Sequence, residues 1–238
     1  MPPDAGGRAL PEGAAKARAV REMFDAIAPR YDLVNRVMTF GLDVRWRRRT
    51  IEALGLPAGS VVLDLASGTG DLCRALRARG HRPIGIDVSA GMLAAARVPV
   101  PLVRADVLHL PVATGVVDGV TCGFALRNLV DLDAFLAESA RALRPGGRLA
   151  LLEVSAPTHP VLRWGHAVYF GQVVPCIGAL LSDAEAYRYL PRSAAYLPPP
   201  SGLVSMVAAA GFGGVERRPL SGGITQLIVA TRRPVPGR

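Results

Sequence analysis

The sequence predicts an α/β fold: a seven-stranded, mostly parallel, doubly wound sheet, Rossmann-like in plan. Three observations predict it. From residue 61 onward, short apolar runs alternate with helical stretches, a pattern that builds a parallel sheet covered on both faces. The first of these runs, Val61-Val62-Leu63-Asp64-Leu65, leads directly into a glycine-rich loop, Ser67-Gly68-Thr69-Gly70. Half of the 238 residues are hydrophobic, enough for one large core.

Residues 1–14 carry Pro, Gly and charge without an apolar run and read as a disordered tail, no secretory signal. Residues 15–238 read as a single domain. Its first part, 15–56, is a helical cap: Leu33, Val34, Val37 and Met38 recur at helical spacing, and Gly55 and Pro57 end the run. Strands are then expected at 61–65, 83–87, 100–103, 116–123 and 148–154, with helices at 71–79, 90–97 and 131–143 between them. The turn Pro145-Gly146-Gly147 precedes the fifth strand. Residues 158–200 break the alternation with an apolar stretch, read as a helical lid. A helix over 202–210 and two strands, 215–219 and 225–231, follow. Ser221-Gly222-Gly223 joins those strands, so at least one of them is antiparallel to the rest.

The chain carries 28 basic and 19 acidic residues, a net charge of +9, and every basic residue except Lys16 is arginine. Such a surplus favours anionic surfaces, nucleic acid or acidic lipid. Aromatic residues make up only 5%, which weighs against single-strand nucleic-acid binding, where bases stack on aromatic rings. Cys73, Cys122 and Cys176 lie far apart, which fits a reducing cytoplasm and argues against disulfides or a zinc site. No metal set emerges. His166 reads as a solvated or lid residue without a catalytic role.

In an open parallel sheet, ligands bind at the carboxyl ends of the strands. Glycines at 68 and 70 let the backbone come close to such a ligand. Asp87 ends the second strand, where a carboxylate can accept from both ribose hydroxyls of an adenosine. Asp106 follows the third strand, where it can accept from the adenine amino group. A dinucleotide fingerprint needs Gly or Ala at its third glycine position, and here that position is Cys73. The set therefore points to an adenosyl sulfonium, S-adenosylmethionine. A nucleic-acid amine methyltransferase commonly carries Asn/Asp-Pro-Pro-aromatic after the fourth strand. This chain has Phe124-Ala125-Leu126-Arg127-Asn128 there.

Further motifs are Met23-Phe24-Asp25, Ala28-Pro29-Arg30-Tyr31-Asp32-Leu33 with Asn35, Trp46-Arg47-Arg48, Leu126-Arg127-Asn128, Glu153-Val154-Ser155, Tyr187 with Tyr189-Leu190, and Gly222-Gly223-Ile224. With these the chain resembles the ubiquinone/menaquinone biosynthesis C-methyltransferases over about residues 20–230. The resemblance implies methyl transfer from S-adenosylmethionine to a ring carbon of a polyprenylated quinol, demethylmenaquinol first. It places Thr69, Asp87, Asp106 and Val107 at the cofactor. Ser67, Gly68, Gly70 and Gly123 complete the expected cofactor set.

For catalysis, Arg127 is expected to stabilise a developing quinolate, because a guanidinium stays charged. Asn128 is expected to hydrogen-bond a ring oxygen, and Tyr31 to pack on or bond to the ring. A salt bridge from Arg127 to Asp131 or Asp133 is the competing role. The sequence departs from the family at Ser67, Gly123, Ala125 and in the tail Thr225-Gln226-Leu227. That tail leaves another small aromatic or polyketide acceptor open, and a non-catalytic cofactor-binding scaffold is a further alternative. The expected protein is cytoplasmic and visits the membrane surface through residues 161–181. A homodimer is compatible with the sequence, and nucleic acid is not an expected partner.

Overall fold

The computed structural model describes residues 12–174, 189 and 192–234. The helical cap comprises α1 (Gly13–Ile27), α2 (Tyr31–Met38) and α3 (Leu42–Leu54), with a 3₁₀ turn at Ala28–Arg30. Pro29 forms that turn because it fixes φ and lacks the N–H that a continuing helix would use. Gly55 ends α3 in the left-handed conformation, as helix C-termini favour.

The alternating part contains β1 (Val61–Leu65), α4 (Asp71–Ala78), β2 (Arg82–Asp87), α5 (Ala90–Ala95), β3 (Leu102–Arg104), β4 (Val117–Gly123), α6 (Leu132–Ala142) and β5 (Leu143–Val154). After α7 (Pro160–Val168) come α8 (Pro200–Ala209), β6 (Phe212–Leu220) and β7 (Thr225–Arg232). The seven strands lie in the order β3-β2-β1-β4-β5-β7-β6. All pairings are parallel except those of β7, which runs antiparallel to both β5 and β6.

The predicted strand at 148–154 begins earlier, at Leu143, because Leu143 already pairs with Val117 ahead of a bulge that absorbs Pro145-Gly146-Gly147. Strand β3 is shorter and later than the predicted 100–103, starting at Leu102. The predicted tail lies mostly outside the described residues, and α1 begins at Gly13. Much of the predicted lid, including Cys176 and Tyr187, also lies outside them.

Each face of the sheet carries its own core. On one face Phe135, Leu136, Leu203 and Val207 from α6 and α8 cover Leu63, Val120 and Leu149. On the other, Trp46, Leu54, Leu72 and Leu76 from α3 and α4 cover Val62, Ala150 and Leu152. Each fully buried Leu or Phe is stabilised by about 1.5–3 kcal/mol relative to exposure. A third cluster, Ile27, Ala28, Val34 and Met92, joins the cap to α5. The cap is thereby seated over the carboxyl ends of β1 and β2.

Candidate active site

Two cavities open at that end of the sheet. The first, of about 420 Å³, lies between α1 and the loops after β1, β2, β3 and β4. The second, of about 380 Å³, lies between the cap, α7 and the loops after β4 and β6. Phe24, Tyr31, Phe124 and Asn128 line both. These four side chains form the wall where the cavities meet.

Asp87 stands in the first cavity, at the end of β2. One of its carboxylate oxygens accepts from the Gly68 N–H and the other from the Ser89 N–H, both at 2.8 Å. Burial is the largest influence on it and raises its pKa. Each oxygen keeps a further lone pair for a ligand. Asp106 accepts from the Leu108 N–H through one oxygen, at 2.9 Å. Val107, Met92 and Leu129 supply apolar wall. A paired acceptor beside apolar surface fits an adenosine group.

Of the glycine loop, Ala66 and Gly68 line this cavity while Ser67, Thr69 and Gly70 do not. The Ser67 hydroxyl is buried without a partner. The Thr69 hydroxyl donates to Asp32 at 2.5 Å, tying the loop to α2. Gly70 has φ 84°, and a Cβ there would come within 2.5 Å of Val98, so only glycine closes this turn. Gly123 lines the cavity, and a side chain there would meet Leu72 at 2.8 Å.

Arg127 and Asn128 lie in a 3₁₀ turn just past β4. Arg127 is only 4% exposed. Its guanidinium donates to the Glu153 carboxylate and to the Phe124 carbonyl, the latter at 2.9 Å. The expected alternative pairing with Asp131 or Asp133 does not form: Asp131 caps α6 by accepting from the Ala134 N–H at 2.8 Å. Glu153, 1% exposed, also accepts from the Val154 N–H at 2.8 Å and the Arg127 N–H at 3.3 Å. The register explains the pairing. Gly123 sits opposite Leu152, so the turn after β4 and the last residues of β5 share one end of the sheet. In the sequence Glu153 stands in the motif Glu153-Val154-Ser155, which by itself assigns it no role. A lone acid at the end of a predicted central strand was the available signal.

Tyr31 packs edge-on against Phe24, centroids 5.9 Å apart, and burial raises its hydroxyl pKa. In the second cavity, Arg127 Nε, Asn128 Oδ1, His166 Nε2, Tyr189 Oη and Thr225 Oγ1 are buried without hydrogen-bond partners. Such atoms are costly to leave unsatisfied, and here five of them surround otherwise apolar space. Asp43 and Arg47 line the same cavity but pair with each other, and Arg47 also reaches Asp71 at 3.0 Å. Among the described residues no group of His, Cys, Asp and Glu is suited to a metal ion.

Backbone strain gathers at these cavities. Phe40, Ala66, Phe124 and Ser221 have positive φ without being glycine, and each lines one cavity or the other. Such conformations cost on the order of 1–3 kcal/mol each. At Ser221 the surroundings offset this: Trp46 Nε1 donates to its hydroxyl at 2.8 Å.

The ubiE/COQ5 methyltransferase family model matches residues 12–232. The chain belongs to the ubiE/COQ5 methyltransferase family. It is 40% identical to a ubiquinone/menaquinone biosynthesis C-methyltransferase of Syntrophotalea carbinolica, covering 89% of this chain and 93% of that one. It is 43% identical to a demethylmenaquinone methyltransferase of Thermus thermophilus, covering 88% of this chain and all of that one. A third relative, a demethylmenaquinone methyltransferase of Mycolicibacterium paratuberculosis, is 43% identical, with 91% and 95% covered.

Solved structures share the fold at lower identity. A chain from the complex of the Haloferax volcanii Trm112 activator with a methyltransferase aligns over 92% of this chain and all of its own length. Its TM-score is 0.66 and its identity 19%. Haemonchus contortus phosphoethanolamine N-methyltransferase 2, solved with S-adenosyl-L-methionine, aligns over 80% of this chain and 53% of its own. There the TM-score is 0.58 and the identity 15%. The family member described here is an S-adenosylmethionine-dependent methyltransferase with the expected seven-stranded sheet.

Proposed function

We propose that this enzyme methylates a ring carbon of a polyprenylated quinol, demethylmenaquinol. The observation that carries the reading is the junction of the two cavities at Phe24, Tyr31, Phe124 and Asn128. A donor in the first cavity and an aromatic ring in the second meet there. The names of the curated relatives supply the quinol. When bound, S-adenosylmethionine supplies an electrophilic methyl group on a positive sulfonium.

The chain's own contribution is alignment and polarity, because no covalent intermediate is required. Asp87 holds the ribose hydroxyls and Asp106 the adenine, with Gly68, Val107 and Gly123 as wall. Ser67, Thr69 and Gly70 act by shaping the loop. At the acceptor, the unpaired Asn128 Oδ1 accepts from a ring hydroxyl, and Arg127 Nε donates to a ring oxygen that gains negative charge. Glu153 balances the Arg127 charge, so Arg127 orients and donates without holding a naked cation in the cavity. Tyr31 packs on the ring.

The polyprenyl tail needs apolar surface leading out of the second cavity. Phe40, Leu42, Val161 and Leu162 line that cavity and are exposed at its rim, Phe40 at 78%. Trp164 beside them is 72% exposed. We read this rim as the edge that meets the membrane surface, where Trp is favoured. No helix among the described residues is long and apolar enough to cross a membrane.

Purified protein supplied with S-adenosylmethionine and reduced demethylmenaquinol is expected to yield menaquinol of one added methyl mass, placed on the ring by tandem mass spectrometry. Methylation of a tail-less aromatic alone, with prenylated quinols refused, would replace the quinol reading by the small-aromatic one.

A further inference from the structure

Helix α7 brings into the second cavity a base that its place in the chain did not reveal. His166 lines that cavity, and its Nε2 is buried without a hydrogen-bond partner. Its ring lies against Phe170, centroids 4.4 Å apart. The following turn is fastened to the cap, because the Tyr169 hydroxyl donates to the Met38 carbonyl at 2.7 Å. In the Nδ1–H tautomer, Nε2 presents a lone pair to the cavity.

Among the described residues, the other titratable groups facing the cavity are engaged or of the wrong polarity. Asp43, on α3, is ion-paired with Arg47 and accepts from the Thr39 hydroxyl at 2.9 Å. Arg127, past β4, is held by Glu153. Burial raises the pKa of Tyr31, on α2, and of Tyr169, on the turn after α7. It raises that of Tyr189 to about 12. These phenols stay protonated and can only donate or accept as neutral hydroxyls. His166 is shifted the opposite way: burial lowers its pKa, so the ring is neutral near pH 7 and its unprotonated nitrogen is free to accept.

We propose that His166 Nε2 is the proton acceptor of the methyl transfer. The assignment rests on the reading that the second cavity holds a quinol. The ring hydroxyl gives its proton to Nε2, and the oxygen's electron pair moves into the ring. The ring carbon then forms a bond to the methyl carbon while the methyl–sulfur bond breaks, its pair remaining on sulfur. The methylated carbon, now sp³, loses its hydrogen to water as a proton. The ring oxygen takes the proton back from the imidazolium, and the aromatic quinol is restored. One quinol and one sulfonium give one methylated quinol, one thioether and one proton.

The test compares wild-type enzyme with His166→Ala and His166→Gln on reduced demethylmenaquinol, measuring kcat against pH, S-adenosylmethionine affinity and rescue by added imidazole. Wild-type kcat is expected to fall with acid below the ordinary histidine range, because protonation removes the acceptor. Both variants are expected to lose about a hundredfold or more in kcat and to lose the acid limb. Their affinity for S-adenosylmethionine should be unchanged, since His166 does not line the first cavity. Imidazole should restore part of the rate to His166→Ala, which a merely structural role would not produce. Variants with wild-type kcat and an intact acid limb would overturn the assignment while leaving the quinol reading standing. A wild-type enzyme that methylates no prenylated quinol would overturn both. The glutamine variant fills the imidazole's space, and a cofactor-binding signal in it establishes that it is folded.

Discussion

Asp87 is a single carboxylate with two duties. It fixes the glycine loop through the Gly68 N–H and, in the proposed complex, accepts from two ribose hydroxyls. Hydrogen bonds to charged groups are worth about 1.5–3 kcal/mol each. Asp87→Ala is therefore expected to weaken S-adenosylmethionine binding at least a hundredfold by calorimetry, with the far-UV spectrum unchanged. Near-normal affinity would remove Asp87 from the site. Arg127 makes a different prediction, because it faces the acceptor cavity and does not line the donor cavity. Arg127→Ala is expected to lower kcat by tenfold or more while S-adenosylmethionine affinity changes less than threefold, on the order expected for an interaction realised in the transition state. Parallel losses of rate and affinity would show that it shapes the donor cavity instead.

At the scale of elements, the cap is held by a few polar contacts as much as by its apolar face. Asp25 on α1 accepts from the Ser89 hydroxyl at 2.5 Å and from the Gly91 N–H at 2.8 Å. The Ser89 hydrogen bond is the main reason the Asp25 pKa is lowered. Gly91 is required here, since a Cβ would lie 2.9 Å from the Asp25 backbone. Nearer the start of α1, Lys16 donates to the Leu129 carbonyl at 2.7 Å and lies 3.5 Å from the centre of the Tyr196 ring. Because α1 roofs the donor cavity, Asp25→Ala is expected to speed tryptic cleavage after Arg18 or Arg21 and to weaken S-adenosylmethionine binding several-fold. Unchanged proteolysis would mean that the apolar cluster alone seats the cap.

For the molecule as a whole, Asp64 couples stability to pH. It lies 1% exposed in β1, accepting from the Thr121 hydroxyl at 2.9 Å and from the Cys73 thiol at 3.4 Å. Burial raises its pKa from 3.8 to about 7. The unfolded carboxyl ionises near 3.8 while the folded one keeps its proton to about 7. The folded state thus binds more protons between those values, and this group's contribution to stability falls as pH rises through that window. Asp64→Asn is expected to melt at least as high as wild type at pH 8 and to lose that part of the decline between pH 5 and pH 8. An unchanged slope in thermal melts would refute the assignment. The exposed rim around the second cavity carries a further expectation at this scale. The protein should float with anionic liposomes more than with neutral ones, since residues 1–49 hold ten basic and six acidic side chains. Replacing Phe40 and Trp164 together by Ser should reduce flotation on both, and unchanged flotation would place the docking surface elsewhere.

The sequence by itself determined the sheet, the glycine loop and the acid that closes β2. Strand runs such as Val61–Leu65, the turn glycines and the acid closing β2 are signals of local spacing, and local spacing survives folding. Only the tertiary structure decided which groups face one another across the acceptor. Arg127 pairs with Glu153, 26 residues away, because β4 and β5 lie side by side in register, while the nearer Asp131 is used by the α6 cap. Thr69 turns from the donor cavity to Asp32 because α2 packs over the glycine loop. His166 becomes an unpaired base only because α7 folds back against the cap, with Tyr169 fastened to Met38. Those pairings are set by where separate elements dock, and docking depends on burial summed over both faces of the sheet.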